Sequence, residues 1–576
     1  MPRPKIYDDS YFAFTTRTAA NGTIYVIAYR NAWDPVKKRS FAKERRNVGV
    51  LNPSTGRVLL GKTYLKNHPE MEGKIYYYEN NKLVESSTEI EESVSEEKNP
   101  DTAHLDDILC WGASYACLNS LKELGIKKSL DQVFGEKDAA ALMQLAVYQY
   151  LERGACRNFQ EWAPGVWLPG SGGLTSQRIS EVLSRVDQAK MTQYFKLRFD
   201  SANQAASKED EYRFLALDST AISSYSETIE DAAYGHAKQN PELKQVNYTL
   251  GVDYMTGDIL YGYECEGSIA DKSIYPELLK DMRDHGFPLE KTVLVTDRGY
   301  ESVYNIQQLL NENTNYVCAV PLTEKSVKSK LLKYWQSFNS SAFYDEDSEI
   351  YARTDGQGWS VRQEETGAEV KSTYWVHYYR DPRLAQQQSS ALLAKVGKVL
   401  KAKKEGKEAD PQEWRAVRRF IVKDDNHGWV KKVKDLDEAL RLAGCFAIRT
   451  NCIANPFKAL EIYRERNIVE TNFRLFKVSN DGRRLYCENQ SYLGKLFVYT
   501  LATSIRFYQL TAMRKNAEKK GLTRPKESTE TALMILNRLK AVKSPRSGAW
   551  KIKSVSKKAM DVLALLNITK LPEYLH

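Results

Sequence analysis

Three carboxylates stand where they could hold a hard cation. Asp218 follows the apolar run FLAL, and Asp297 follows TVLV and one threonine. Each reads as a carboxylate at the end of a buried strand, so the two point to one site at a sheet edge. The third is Glu470, within PFKALEIYRERNIVETNFRLFK. Stepping about 100° per residue from Tyr463 puts Arg466 near ~300°, Lys477 near ~320° and Glu470 near ~340°. Ile462, Val469, Phe473 and Phe476 fall on the adjacent face. Such a helix lays an apolar stripe on a core and aims one carboxylate and several cations beside it. A lone Asp at a strand end is more often a turn former or helix cap. A polar stripe is ordinary on an exposed helix. The three carboxylates together are harder to explain in that way. Oxygen donors without His or Cys favour Mg²⁺ or Mn²⁺. A pair of such ions about 4 Å apart can activate a water and stabilise the leaving oxygen of a phosphodiester.

The elements that must position these groups can be read along the chain. From residue 206 to 322, FLALDST is a strand, and QVNYTLGVDYMTGDILYGYECEG is two strands around a turn. DKSIYPELLKDMRDHG is an amphipathic helix, KTVLVTDRGY a strand, ESVYNIQQLLNENT a helix and YVCAVPL a strand. The order β-β-β-α-β-α-β is that of an RNase H-like mixed-sheet core. Residues 323–443 interrupt it, first with aromatic strands, then with a charged helical stretch from Leu384. Residues 444–480 resume the core with a strand and the Glu470 helix. Upstream, 1–85 read as short antiparallel strands, 86–103 as an acidic linker and 104–205 as helices, one of them capped by Thr175 or Ser176. Residues 481–576 read as helices with basic faces. The fold class is therefore α/β, a split core with a largely β-stranded insertion, a β-rich N-terminal region and helical flanks.

Composition excludes several classes. Of 576 residues, 42 % are hydrophobic and 27 % charged, an ordinary globular balance. The most apolar stretch, Leu496 to Ile505, is too short to span a bilayer. The N-terminus lacks the apolar centre of a signal peptide. The eight cysteines include no CxxC pair, which argues against a disulfide scaffold or a zinc knuckle and for a reduced, cytoplasmic location. The net charge is +10, unevenly placed: +7 over residues 1–60, +12 over 481–576 and −5 over 89–101. Basic ends suit a polyanion such as nucleic acid, and they suit a solvated surface equally well.

The motifs are similar to those of a known family. Tyr463-x2-Arg466-x3-Glu470-x6-Lys477 resembles the YREK signature of IS4-type DDE transposases. LALDST and LVTDRGY resemble the blocks that carry their first and second Asp, and ADKSIYPELL looks closest to the IS1634 group. The resemblance covers about 211–480. It implies that Asp218, Asp297 and Glu470 form the triad holding two Mg²⁺ or Mn²⁺ ions. It also implies that Tyr463, Arg466 and Lys477 contact DNA near the element's end, with Arg298 a further DNA-contact candidate. Gly299 would let the chain turn sharply after Asp297. The implied partners are double-stranded DNA, as terminal inverted repeats and as target, and a second copy of the chain in a synaptic homodimer. An RNase H-like nuclease without strand transfer, or a non-enzymatic DNA-binding descendant, are the rival readings.

Overall fold

The computed structural model describes residues 12–19, 23–34, 39–52, 56–86, 108–205, 212–235, 241–311, 314–362, 367, 369–544 and 548–575. The acidic stretch beyond Ser86 lies outside them. The chain divides into two units, Met1–Thr102 and Ala103–His576.

The first unit is an antiparallel meander of β1 (Ala13–Thr18), β2 (Ile24–Asp34), β3 (Arg39–Leu51), β4 (Arg57–Leu60), β5 (Ile75–Glu79) and β6 (Lys82–Ser86). Helix α1 (Lys62–Asn67) follows β4. Val26 and Ala28 are two apart on β2, so both face one side, where they bury with Val48, Val58 and Tyr64.

The second unit begins with a short strand, β7 (Ile108–Cys110). Five helices follow: α2 (Gly112–Glu123), α3 (Ile126–Glu152), α4 (Phe159–Trp162), α5 (Ser176–Ser184) and α6 (Gln188–Ala205). Thr175 caps α5 by accepting from the Arg178 N–H at 3.2 Å. Next come β8 (Arg213–Ser224), β9 (Gln245–Asp253), β10 (Ile259–Glu266), α7 (Asp271–Asp284), β11 (Thr292–Thr296), α8 (Val303–Asn311) and β12 (Asn315–Val320). This is the element order read from the apolar runs. β8 runs antiparallel to β9 and parallel to β11, which in turn runs parallel to β12.

Residues 323–443 contain α9 (Lys325–Lys333), β13 (Tyr344–Asp345), β14 (Ile350–Arg362), β15 (Glu369–Arg380) and α10 (Pro382–Lys404). They continue with α11 (Pro411–Val417), β16 (Ile421–Asp424), β17 (Gly428–Lys431) and α12 (Val433–Leu442). The expectation of a largely β-stranded insertion is therefore corrected, since among the described residues it holds more helix than strand. Its long hairpin is also not a separate sheet. β18 (Cys445–Thr450) pairs with β12 on one side and β15 on the other. One sheet thus runs β10-β9-β8-β11-β12-β18-β15-β14-β13.

The Glu470 segment is α13 (Pro456–Glu465), α14 (Asn467–Arg474) and a π-helical turn at Leu475–Ser479. Asn455 starts it by accepting from the Phe457 and Lys458 N–H groups, with Pro456 in the first turn. The expected apolar stripe is buried, with Ile462, Val469, Phe473 and Phe476 at most 7 % exposed. The chain then forms β19 (Arg484–Leu485), α15 (Tyr492–Lys520), α16 (Thr529–Leu536), β20 (Lys540–Lys543), β21 (Trp550–Ile552), α17 (Lys557–Leu565) and β22 (Tyr574–Leu575).

The C-terminal segment differs from a set of basic surface helices. β20, β21 and β22 join β7 in a four-stranded sheet. Helix α15 is buried over most of Tyr492–Gln509, because its apolar run packs against α3 and α5. A Cβ on Gly494 would lie 2.3 Å from the Leu183 carbonyl oxygen, so a glycine there lets α15 approach α5. Among the described residues no helix is long and apolar enough to cross a membrane.

Candidate active site

Asp218 sits inside β8 rather than at its end, a correction to the sequence reading. Its placement follows from strand register. β11 pairs with β8 through Val293↔Phe214, Leu294↔Leu215 and Val295↔Ala216. Continuing that parallel register by two residues brings Asp297 opposite Asp218. β11 stops at Thr296, which frees Asp297 from the ladder, while β8 continues against β9. The register therefore brings Asp297, one residue past the end of β11, level with Asp218 on β8.

Each carboxylate is held by the chain next to it. Asp218 Oδ1 accepts from the Ser219 N–H at 2.9 Å, and Asp297 Oδ1 accepts from the Gly299 N–H at 2.6 Å. The chain turns at Gly299 as expected, with the Tyr300 N–H donating to the Asp297 carbonyl at 3.3 Å, and the glycine also sits close to two carboxylates. A Cβ there would stand 2.8 Å from Asp297 Oδ1 and 3.3 Å from Asp271 Oδ2. A side chain there would push the Asp297 and Asp271 carboxylates out of place.

Asp271 is a fourth acid that the sequence reading missed. It opens α7, and the Ser219 hydroxyl donates to it. The available signal was an Asp in the first turn of an amphipathic helix that returns over the sheet. Asp218, Asp271, Asp297, Arg466, Glu470 and Lys477 all line one cavity of about 560 Å³. Arg483 and Arg484, also not anticipated, line it too.

The helix contributes a cation to the centre of the site. Arg466 lies where α13 passes into α14, with its guanidinium 3.5 Å from Asp218 Oδ2 and 3.1 Å from Glu470 Oε1. Tyr463 is half-buried, and its ring centroid lies 5.6 Å from that guanidinium. Burial pushes the Asp218 carboxyl up to about 7, Arg466 pulls it down, and the neighbouring charge of Asp297 adds to the rise. Arg466 is held above the usual arginine range by Tyr463, Asp218, Asp297 and Glu470, which outweigh its burial.

Not every expected residue enters the site. Arg298 is exposed, Tyr463 packs half-buried against the core, and neither lines the cavity. Glu470 faces Arg466, and among the described residues no three carboxylate, His or Cys side chains stand ready to hold a metal ion. The chemistry of the donor set nevertheless suits a hard cation. It is all oxygen, and burial among acidic neighbours leaves Asp218 short of positive charge.

Residues 209–503 match the family model described as the Transposase DDE domain, which spans more than half of the chain. The chain belongs to the DDE transposase family. Transposases of this family generally use divalent metal ions. No curated protein matches the transposase. Among solved structures, a chain from the piggyBac transposase synaptic complex with hairpin DNA aligns at 9 % identity. That alignment covers 75 % of the transposase and 71 % of the other chain, with a TM-score of 0.33. A likeness of that size carries no argument about the site.

Proposed function

We propose that this transposase moves a bacterial insertion sequence of the IS4 type, closest to the IS1634 group. It binds the terminal inverted repeats, hydrolyses a phosphodiester at each element end and joins the freed 3′-OH to target DNA. The observation that carries the reading is that Asp218 on β8 and Asp297, just past the end of the neighbouring β11, line one cavity with Glu470. The first five strands of the sheet stand in the order third, second, first, fourth, fifth, with one carboxylate on the first and one just past the fourth. That order supports an RNase H-like core.

Asp218, Asp297 and Glu470 would hold two Mg²⁺ or Mn²⁺ ions. When bound, such ions supply an activated water and neutralise charge on the scissile phosphate. The side chains around them do the positioning. Arg466 and Lys477 meet phosphate oxygens, and Arg466 suits a two-pronged contact because its guanidinium is planar and always charged. Tyr463 buttresses Arg466 from the core side. Arg466 also keeps Glu470 and Asp218 from repelling one another before DNA arrives.

The N-terminal meander offers a surface for end recognition, where Arg17, Tyr29, Asn31, Arg45 and Arg46 line a cavity of about 700 Å³. The helices of 108–205 and the C-terminal segment serve end binding and pairing of two subunits, since two ends must be held together. The transposase works on DNA in the bacterial cytoplasm.

The test combines a duplex carrying the element end, a target plasmid and Mg²⁺. The wild-type chain cleaves the end and joins it to the plasmid. Glu470→Gln abolishes both while end binding persists. Undiminished cleavage by Glu470→Gln would refute the triad. Cleavage without joining in the wild type would shift the reading to a nuclease.

A further inference from the structure

We infer that a strip beside the carboxylate cavity binds unpaired nucleotides of one DNA strand, with a base stacked on Tyr486. The inference rests on the transposase reading and concerns the path of a strand that leaves the carboxylates. Tyr225 and Tyr486 lie nearly parallel, with centroids 4.8 Å and planes 13° apart. They remain 45 % and 62 % exposed, so this aromatic pair is presented to solvent rather than buried in a core. Arg484 adds its guanidinium 5.3 Å from the Tyr225 centroid. Exposed aromatic faces flanked by arginine are how proteins hold single strands, because any base can stack on them.

Charge and position agree. Arg483 and Arg484 line both the carboxylate cavity and a neighbouring cavity of about 800 Å³. The second cavity also has Tyr486 in its walls, with Arg153, Arg157 and Lys495 outnumbering the acids Asp481 and Glu488. Arg157 and Arg483 make no ion pair among the described residues, so their charge is available to phosphates. The strip is tied to the catalytic sheet. Tyr225 follows β8 directly, and β19 pairs with the end of β8 through Arg484↔Ser223. Tyr225 lies seven residue steps beyond Asp218 along extended chain, a reach of at most about 23 Å. A duplex keeps its base faces stacked internally, so only an unpaired nucleotide can use Tyr486.

Fluorescence anisotropy of the full chain without divalent metal tests this, using a labelled oligothymidylate and a labelled duplex of equal length. The wild type binds both. Tyr486→Ala weakens single-strand binding on the order of tenfold and leaves duplex binding within about twofold, whereas Tyr486→Phe binds like the wild type. Equal single-strand affinity of wild type and Tyr486→Ala overturns the inference, as does a wild type that does not bind single strands. A parallel loss for both DNAs also overturns it. Failure of the transposase reading appears separately, as absent Mg²⁺-dependent cleavage by the wild type.

Discussion

Asp218 yields a prediction that separates its charge from its place in the fold. Its side chain is 21 % exposed and its carboxyl is pushed up to about 7 from 3.8. At ~1.4 kcal/mol per pH unit, this favours the protonated form by about 4 kcal/mol in the folded chain. A group raised in this way stabilises the fold fully below the unfolded value. That stability is lost as the pH climbs toward 7. At pH 8 the wild type therefore carries a deficit of up to ~4 kcal/mol unless a cation offsets it. Asp218→Asn keeps the shape and removes the charge. Urea unfolding at pH 4 and pH 8 should show the two proteins alike at pH 4. The variant should be more stable by several kcal/mol at pH 8. Saturating Mg²⁺ at pH 8 should close the gap, because the wild type gains a ligand and the variant has lost one. Glu264 also titrates in this range, but it is common to both proteins and cancels in the difference. A difference that does not change with pH, or Mg²⁺ that stabilises both equally, would refute the reasoning.

Three further outcomes follow from other contacts. Gly299→Ala pushes a methyl toward Asp297 and Asp271, and should lower cleavage on the order of 100-fold with little change in melting temperature. Glu264 is pushed up to about 8 by burial and by the charge of Asp231, while the Tyr492 hydroxyl bonded to it pulls it down. Glu264→Gln should thus stabilise the chain above pH 8 and have no effect below pH 4, as read from urea midpoints. Arg506 is fully buried and donates to Glu530 at 2.8 Å, Asn480 at 2.9 Å and the Tyr150 carbonyl at 3.0 Å. Arg506→Ala should cost about 3–5 kcal/mol in denaturant unfolding, since it strands the partners it leaves.

Local features were legible in the sequence, and long-range pairings were not. The apolar runs gave away β8 through β12 because buried strands are short and continuous in hydrophobicity. The 3.6-residue spacing of Ile462, Val469, Phe473 and Phe476 marked the buried side of the Glu470 helix. Asp271 stayed hidden because its approach to Asp297 depends on how α7 folds back over the sheet. Asp218 looked like a strand end because β8 turns polar there, although β9 continues to pair with it. The joining of β15 to β18 is a contact across some 70 residues, invisible to any local window. Helix α15 looked like surface because it carries Lys495 and Arg506. Both are buried, and the polar partners that satisfy Arg506 come from distant parts of the chain.

Helix α15 also sets a timetable for synthesis. Phe497 packs on Phe134 and Tyr194, and Gln509 bonds to Tyr150 and Ser120. Those partners leave the ribosome roughly 300 to 390 residues earlier. At about 5–20 residues per second, α2, α3 and α6 wait roughly 15 to 80 s for the helix that packs on them. During that interval the apolar faces that α15 covers lack that partner. A chain truncated before α15 leaves those faces uncovered for good.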